Sequence, residues 1–114
     1  MGFDVTYRVI VQVSELDKVK AALISCRNLL SDLGSVEVEV VFHQTAVKAL
    51  IKGSEFESDI KELMDNGVKV VACRYAMRLN NIGYDDLING ITAVNTGVGE
   101  VVRKMAEGWL YLRL

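Results

Sequence analysis

The chain has 114 residues, which points to a single domain over residues 1–114, so that every site it carries shares one scaffold. About half of the residues are apolar (51%) and a quarter charged (25%), which excludes a disordered or collagen-like chain. With 13 basic and 15 acidic side chains the formal charge is −2, and no cluster of Lys or Arg supplies the phosphate-neutralising surface that a nucleic-acid partner requires.

From Val5 to Val13 β-branched and aromatic residues predict a strand, and Ser14 with Asp17 resembles a capping box that would start a helix at Glu15. Along that helix Leu16, Val19, Leu23, Cys26, Leu30 and Leu33 form one apolar stripe, and Gly34 is the expected left-handed stop. Val36 to Phe42 opens on a valine/glutamate alternation and ends fully apolar, as a strand does when it enters a sheet from a solvated end, and His43 lies at its exit. Ala46 to Ile51 predicts a short helix. Ser54 with Glu57 then caps a second long helix carrying Phe56, Ile60, Leu63 and Met64, which Asn66-Gly67 terminates. Val68 to Ala72 is a short apolar run of the kind buried on both faces in a parallel sheet, with Cys73 at its end.

A helical turn or two over Arg74 to Leu79, a polar break at Asn80-Asn81, and Asp85 to Ile88 precede a fourth strand, Ile91 to Val94. Thr96-Gly97 opens a last helix whose buried face is expected from Val98, Val101, Val102 and Met105, and Trp109 to Leu112 reads as a final edge strand. Strand and helix signals thus alternate about five times. This calls for a three-layer α/β/α sandwich with a mainly parallel five-stranded sheet joined by right-handed crossovers.

No apolar run approaches the ~18 residues of a membrane span, so no membrane contact is expected. The amino terminus lacks the pattern of a signal peptide, which places the protein in the cytoplasm. Gly2 with Thr6 fits the loose myristoylation pattern, a match read as chance.

In an open parallel sheet, ligands collect beyond the carboxyl ends of the strands. Those ends fall at Ser14, at His43 and Gln44, at Cys73 and Arg74, and at Asn95 to Gly97. Cys73 is the reactive group among them. At a strand-to-helix corner the helix dipole, the N–H groups of residues 75 and 76 and the charge of Arg74 favour the thiolate. Its competing role is that of a small apolar residue closing the core. Cys26, in mid-helix on the buried stripe, is expected to be inert. His43, the only histidine, is placed to orient or protonate a substrate if the third strand lies alongside, and otherwise is a loop histidine bonded to backbone. Tyr75, Asn95, Thr96 and Gly97, with Arg74, complete the expected binding surround. One histidine and one well-placed thiol do not make a metal site, so no metal and no cofactor is expected. Gly97-x-Gly99 lacks the third glycine and the acidic partner of a dinucleotide fingerprint and reads as a tight turn able to hold a small anion.

The segments Val70-Val71-Ala72-Cys73 with Met77, Gly90 to Val94, Gly97-Val98-Gly99-Glu100-Val101-Val102 and Glu107 to Arg113 resemble the DsrE/DsrF-like family, as do Cys26 to Leu30 and Val40 to His43. The resemblance runs nearly end to end. It implies a small α/β/α protein forming homotrimers or homohexamers, in which Cys73 carries sulfur as a persulfide or thiosulfonate between a small-molecule or protein sulfur donor and an acceptor thiol protein. The chain departs from the family pattern just after the cysteine, where Asn and Thr are common but Arg74-Tyr75-Ala76 stand. An alternative is a non-catalytic oligomeric module that binds a small anion or metabolite in the same strand-end crevice. A third possibility is a scaffold subunit that associates through its aromatic terminal strand.

Overall fold

A computed structural model describes residues 6–114; the Gly2 pattern and the first residue of the strand predicted from Val5 lie outside the described residues. In chain order the elements are β1 (Tyr7–Val13), α1 (Val19–Leu33), β2 (Val36–Phe42), α2 (Glu57–Asp65), β3 (Lys69–Cys73), α3 (Arg74–Leu79), β4 (Thr92–Val94), α4 (Gly97–Ala106) and β5 (Leu110–Arg113). Short 3-10 turns at Leu16–Lys18, Gln44–Leu50 and Tyr84–Asp86 join them.

The strands form one sheet in the order β4-β3-β2-β1-β5, and every pairing is parallel. This is the α/β sandwich expected from the alternation of strand and helix signals, and β5 takes an edge as predicted.

The pleat divides the strand residues between two unequal cores. Val9, Val11, Val13, Val38, Val40, Phe42, Val70 and Ala72 face α1, α2 and α3 in the larger one. Ile10, Val41 and Val71 point the other way, where α4 alone covers them through Val101, with Val94 and Trp109 at the margin. Full burial of a side chain such as Phe42 or Leu50 contributes about 1.5–3 kcal/mol relative to exposure, which is why the larger face dominates stability.

Three local expectations are corrected. Ser14 does not cap the first helix: a 3-10 turn intervenes, Leu16 N donates to Thr45 Oγ1 at 3.0 Å, and the Ser14 hydroxyl is drawn to His43 instead. Glu39 is not at a solvated strand end but 1% exposed, because α4 lies over it. The apolar stripe of α4 is rotated away from the sheet, leaving Val98, Val102 and Met105 exposed at 56%, 65% and 48%. Gly97, Glu100, Val101 and Lys104 face inward at helical spacing, since only a glycine admits the close approach at the start of that helix.

The connection after β3 leaves toward the larger core through Ala76 and Met77, and the connection after β4 leaves toward the smaller one through Val101. A crevice therefore opens between them at the carboxyl end of the sheet.

Candidate functional site

Cys73 is the last residue of β3 and the cap of α3. Its backbone is extended (φ −79°, ψ 115°), and Ala76 N donates to its Sγ at 3.5 Å, so the sulfur takes one of the amides that a helix start leaves without an intrahelical acceptor. Tyr75 N donates to Asn95 O at 3.3 Å, which ties this corner to the end of β4. Cys73 is only 5% exposed, yet it lines a cavity of about 230 Å³ together with His43, Gln44, Tyr75, Ala76 and Leu79 on one side and Thr96, Gly97 and Val98 on the other.

Gly97 sets the depth of this cavity. A Cβ there would lie 2.9 Å from Val41 Cγ1, 3.0 Å from His43 Cβ and 3.5 Å from Cys73 Cβ, so the absent side chain is what lets α4 start directly over the ends of β2 and β3. Thr96 caps that helix, its hydroxyl accepting from Gly99 N at 3.1 Å. At the opposite wall Gln44 has φ +49°, a left-handed turn that swings the chain out of β2, and its carbonyl accepts from Asn80 Nδ2 at 3.5 Å. The same Nδ2 donates to Ala76 O at 2.7 Å, joining the Gln44 turn to α3.

His43 is buried beside Cys73 rather than free in a loop. Its Nε2 lies 2.7 Å from both Gln12 Nε2 and Ser14 Oγ, and the Gln12 side-chain oxygen accepts from the Tyr111 hydroxyl. An amide nitrogen only donates, so Nε2 is the accepting nitrogen and the network assigns the ring proton to Nδ1. Burial lowers the pKa of His43 below its ordinary 6.5, and the positive charge of Arg113 lowers it further, so the ring is neutral at neutral pH.

Of the residues expected from sequence, Cys73, His43, Tyr75, Thr96 and Gly97 converge on the cavity. Arg74 and Asn95 lie beside it. The inward positions of α3 belong to Ala76 and Met77, which turns Arg74 to solvent, and Asn95 contributes its backbone carbonyl. Among the described residues no Lys, Arg, Asp or Glu lines the cavity, and Tyr75, Leu79 and Val98 form a largely apolar rim. Sequence reasoning missed Gln12 and Ser14 as partners of His43, and Tyr111 as the partner of Gln12; a lone glutamine in the apolar run of β1 was the available signal.

Cys26 is the internal contrast. It is fully buried in α1, and desolvation pushes its thiol up to about 12. A wider groove of about 640 Å³, lined by Glu15, Lys20, Lys48 and Phe56 among others, contains neither thiol nor imidazole and offers no comparable chemistry. Among the described residues no helix is long and apolar enough to cross a membrane.

A family model described as the DsrE/DsrF-like family matches residues 8–114. Among solved structures, the protein of unknown function MTH1491 from Methanobacterium thermoautotrophicum is 38% identical, with a TM-score of 0.90 over 95% of this chain and 99% of that one. The ychN protein from E. coli is 17% identical, with a TM-score of 0.80 over 96% of this chain and 100% of that one. The protein of unknown function BT1422 from Bacteroides thetaiotaomicron is 16% identical, with a TM-score of 0.76 over 94% of each chain. The last two likenesses show the fold alone. No curated protein matches the chain.

Proposed function

The chain belongs to the DsrE/DsrF-like family, and from that membership we propose that it is a small intracellular sulfur carrier, a sulfurtransferase-like protein that holds sulfane sulfur on Cys73. The observation that carries this reading is the cavity wall at Cys73, where the sulfur receives the Ala76 amide and faces a space closed by Gly97.

The Cys73 thiolate attacks the outer sulfur of a donor such as thiosulfate. The bond between that sulfur and the sulfonate sulfur breaks, its electron pair leaves on sulfite, and Cys73 holds a persulfide. With tetrathionate the same attack expels thiosulfate and leaves a thiosulfonate. An acceptor thiolate then attacks the outer sulfur of the persulfide, Cys73 departs as thiolate, and the acceptor carries the sulfur away. Since a bound water occupies roughly 30 Å³, the cavity of about 230 Å³ has room for the added sulfur or a small sulfur anion, and its apolar rim shields a persulfide from bulk oxidants. Helix-start amides from α3 and α4, rather than Arg74, would meet the added negative charge. Neutral His43, held by Gln12 and Ser14, orients the wall beside the sulfur. The exposed apolar stripe of α4 and the exposed Leu110 and Leu112 of β5 support self-association, and the homotrimer or homohexamer and the cytoplasmic setting follow from the family reading.

Incubation with thiosulfate, tetrathionate or polysulfide followed by intact mass measurement tests the proposal. The wild-type protein is expected to gain sulfur that dithiothreitol removes, and Cys73→Ser to gain none. A wild-type protein left unmodified by all three donors contradicts it. The alternative binding module predicts instead that anions or metabolites raise the melting temperature equally in wild type and Cys73→Ser.

A further inference from the structure

Besides the thiol, the cavity wall carries a hydrogen-bond donor that nothing in the chain takes up. His43 follows Phe42, the last paired residue of β2, as Cys73 follows its partner Ala72 in β3, so the two side chains stand beside one another on strands roughly 4.8 Å apart. Both emerge beneath the first residue of α4: a Cβ on Gly97 would lie 3.0 Å from His43 Cβ and 3.5 Å from Cys73 Cβ. His43 is 6% exposed. Gln12 Nε2 and Ser14 Oγ each lie 2.7 Å from its Nε2, and the Tyr111 hydroxyl fixes the far end of Gln12, which leaves the ring proton on Nδ1. No described residue accepts that proton. Among the described residues the side-chain polar atoms sealed from solvent without a partner are Glu39 Oε2 and Trp109 Nε1; His43 Nδ1 is not sealed in this way, and the space that His43 borders is the Cys73 cavity.

A second set of donors comes from the facing wall. In the first turn of α4, Gly99 N is taken by the Thr96 hydroxyl at 3.1 Å and Glu100 N by the Thr96 carbonyl at 3.2 Å, whereas the amides of Gly97 and Val98 find no acceptor among the described residues. Both residues line the cavity. α4 runs for ten residues, and its dipole adds partial positive charge at this end. Among the described residues no carboxylate lines the cavity to oppose an anion, and Arg113 lies close enough to the imidazole for its charge to favour one there. N–H groups thus converge from two elements on the space next to the sulfur.

On the reading of Cys73 as a sulfur carrier, we propose that His43 Nδ1–H and the free amides of Gly97 and Val98 form an oxoanion subsite beside the Cys73 sulfur, and that His43 thereby selects sulfur donors ending in a sulfonate over uncapped sulfur chains. In thiosulfate the sulfonate is bonded to the outer sulfur, so a thiolate attacking that sulfur leaves the sulfonate oxygens on its far side. As the new S–S bond forms the old one breaks, its electron pair departs on sulfite, and the charge on the sulfite oxygens grows. His43 donates a hydrogen bond to one of these oxygens and keeps its proton. The bond strengthens as the leaving group forms, which is the condition for speeding the step. An imidazole held in this tautomer presents no lone pair to the cavity, so the proton of the Cys73 thiol passes to water. Polysulfide leaves as a sulfur anion, and sulfur is a weak acceptor that gains less from the same donors.

The chain has a single histidine, so NMR of the ring nitrogens reads His43 alone. In Cys73→Ser, which cannot take up sulfur, Nδ1 is expected to carry the proton at neutral pH, and its signal to move saturably as thiosulfate is added. A proton found on Nε2, or an Nδ1 signal that thiosulfate leaves in place, overturns the subsite. A second arm compares the rates at which Cys73 is loaded from thiosulfate and from polysulfide, followed by intact mass. In His43→Gln, whose amide reaches the position of Nε2 and leaves that of Nδ1 empty, the ratio of thiosulfate to polysulfide rates is expected to fall by about tenfold, as the loss of one hydrogen bond to a charged group implies. An equal loss with both donors is what a merely structural histidine gives and contradicts the assignment, as does a wild type loaded by polysulfide and never by thiosulfate. A wild type loaded by neither donor removes the carrier reading instead, and the NMR titration then decides the subsite on its own.

Discussion

At Cys73 a thiol meets the amide of Ala76 at the edge of a cavity, whereas Cys26 lies in mid-helix among apolar side chains, where burial alone pushes its thiol up to about 12. The difference comes from position, since a helix start has amides to give and a helix middle has none. His43 carries a second consequence. Its pKa is lowered on folding, so below its ordinary 6.5 the unfolded chain takes up a proton that the folded protein resists, and stability is lost as pH falls through that range toward the lowered value. Urea midpoints measured from neutrality downward are expected to fall in the wild type by a component that His43→Gln lacks. Identical pH dependence in the two proteins would show that the imidazole is not held neutral by its surroundings.

Among the elements, α4 decides whether the site exists. Gly97→Ala places a Cβ 2.9 Å from Val41 Cγ1 and 3.0 Å from His43 Cβ, neither of which is a flexible tip, so the helix start must shift. A destabilisation of about 1–3 kcal/mol is expected from such overpacking, measured by urea unfolding, together with altered sulfur uptake at Cys73.

This helix also marks the boundary of what the sequence discloses. The strands, the Cys73 corner and the helix over Arg74 to Leu79 were legible because alternation, β-branching and polar breaks are local signals. The orientation of α4 was not. Its apolar stripe invites burial, but the close approach of Gly97 to Val41 and His43 and the reach of Lys104 to Glu39 are contacts between segments far apart in the chain, and they leave Gly97 and Glu100 facing inward instead. For the same reason Glu39 read as solvated within its alternation, and Ser14 read as a helix cap before His43 was known to lie beside it. Five of the seven expected site residues reach the cavity; Arg74 failed because the inward face of a short helix depends on where its partners lie.

For the whole molecule, the two faces of the sheet are unequally covered, three helices against one, and the thinly covered side ends in the exposed Val98, Val102 and Met105. An apolar stripe of this kind on an isolated chain is a surface made for contact. The proposed assembly predicts an oligomer in analytical ultracentrifugation that Val102→Asp weakens, with the circular dichroism spectrum retained because the residue is 65% exposed. An unchanged sedimentation coefficient would place any subunit contact elsewhere.

The central claim is that one thiol of the folded chain is chemically available and the other is not. Peptide mapping of iodoacetamide alkylation under native conditions tests it most directly. Cys73 is expected to be labelled while the protein remains folded, and Cys26 only as fast as the chain globally unfolds; equal and equally slow labelling of both cysteines would contradict it.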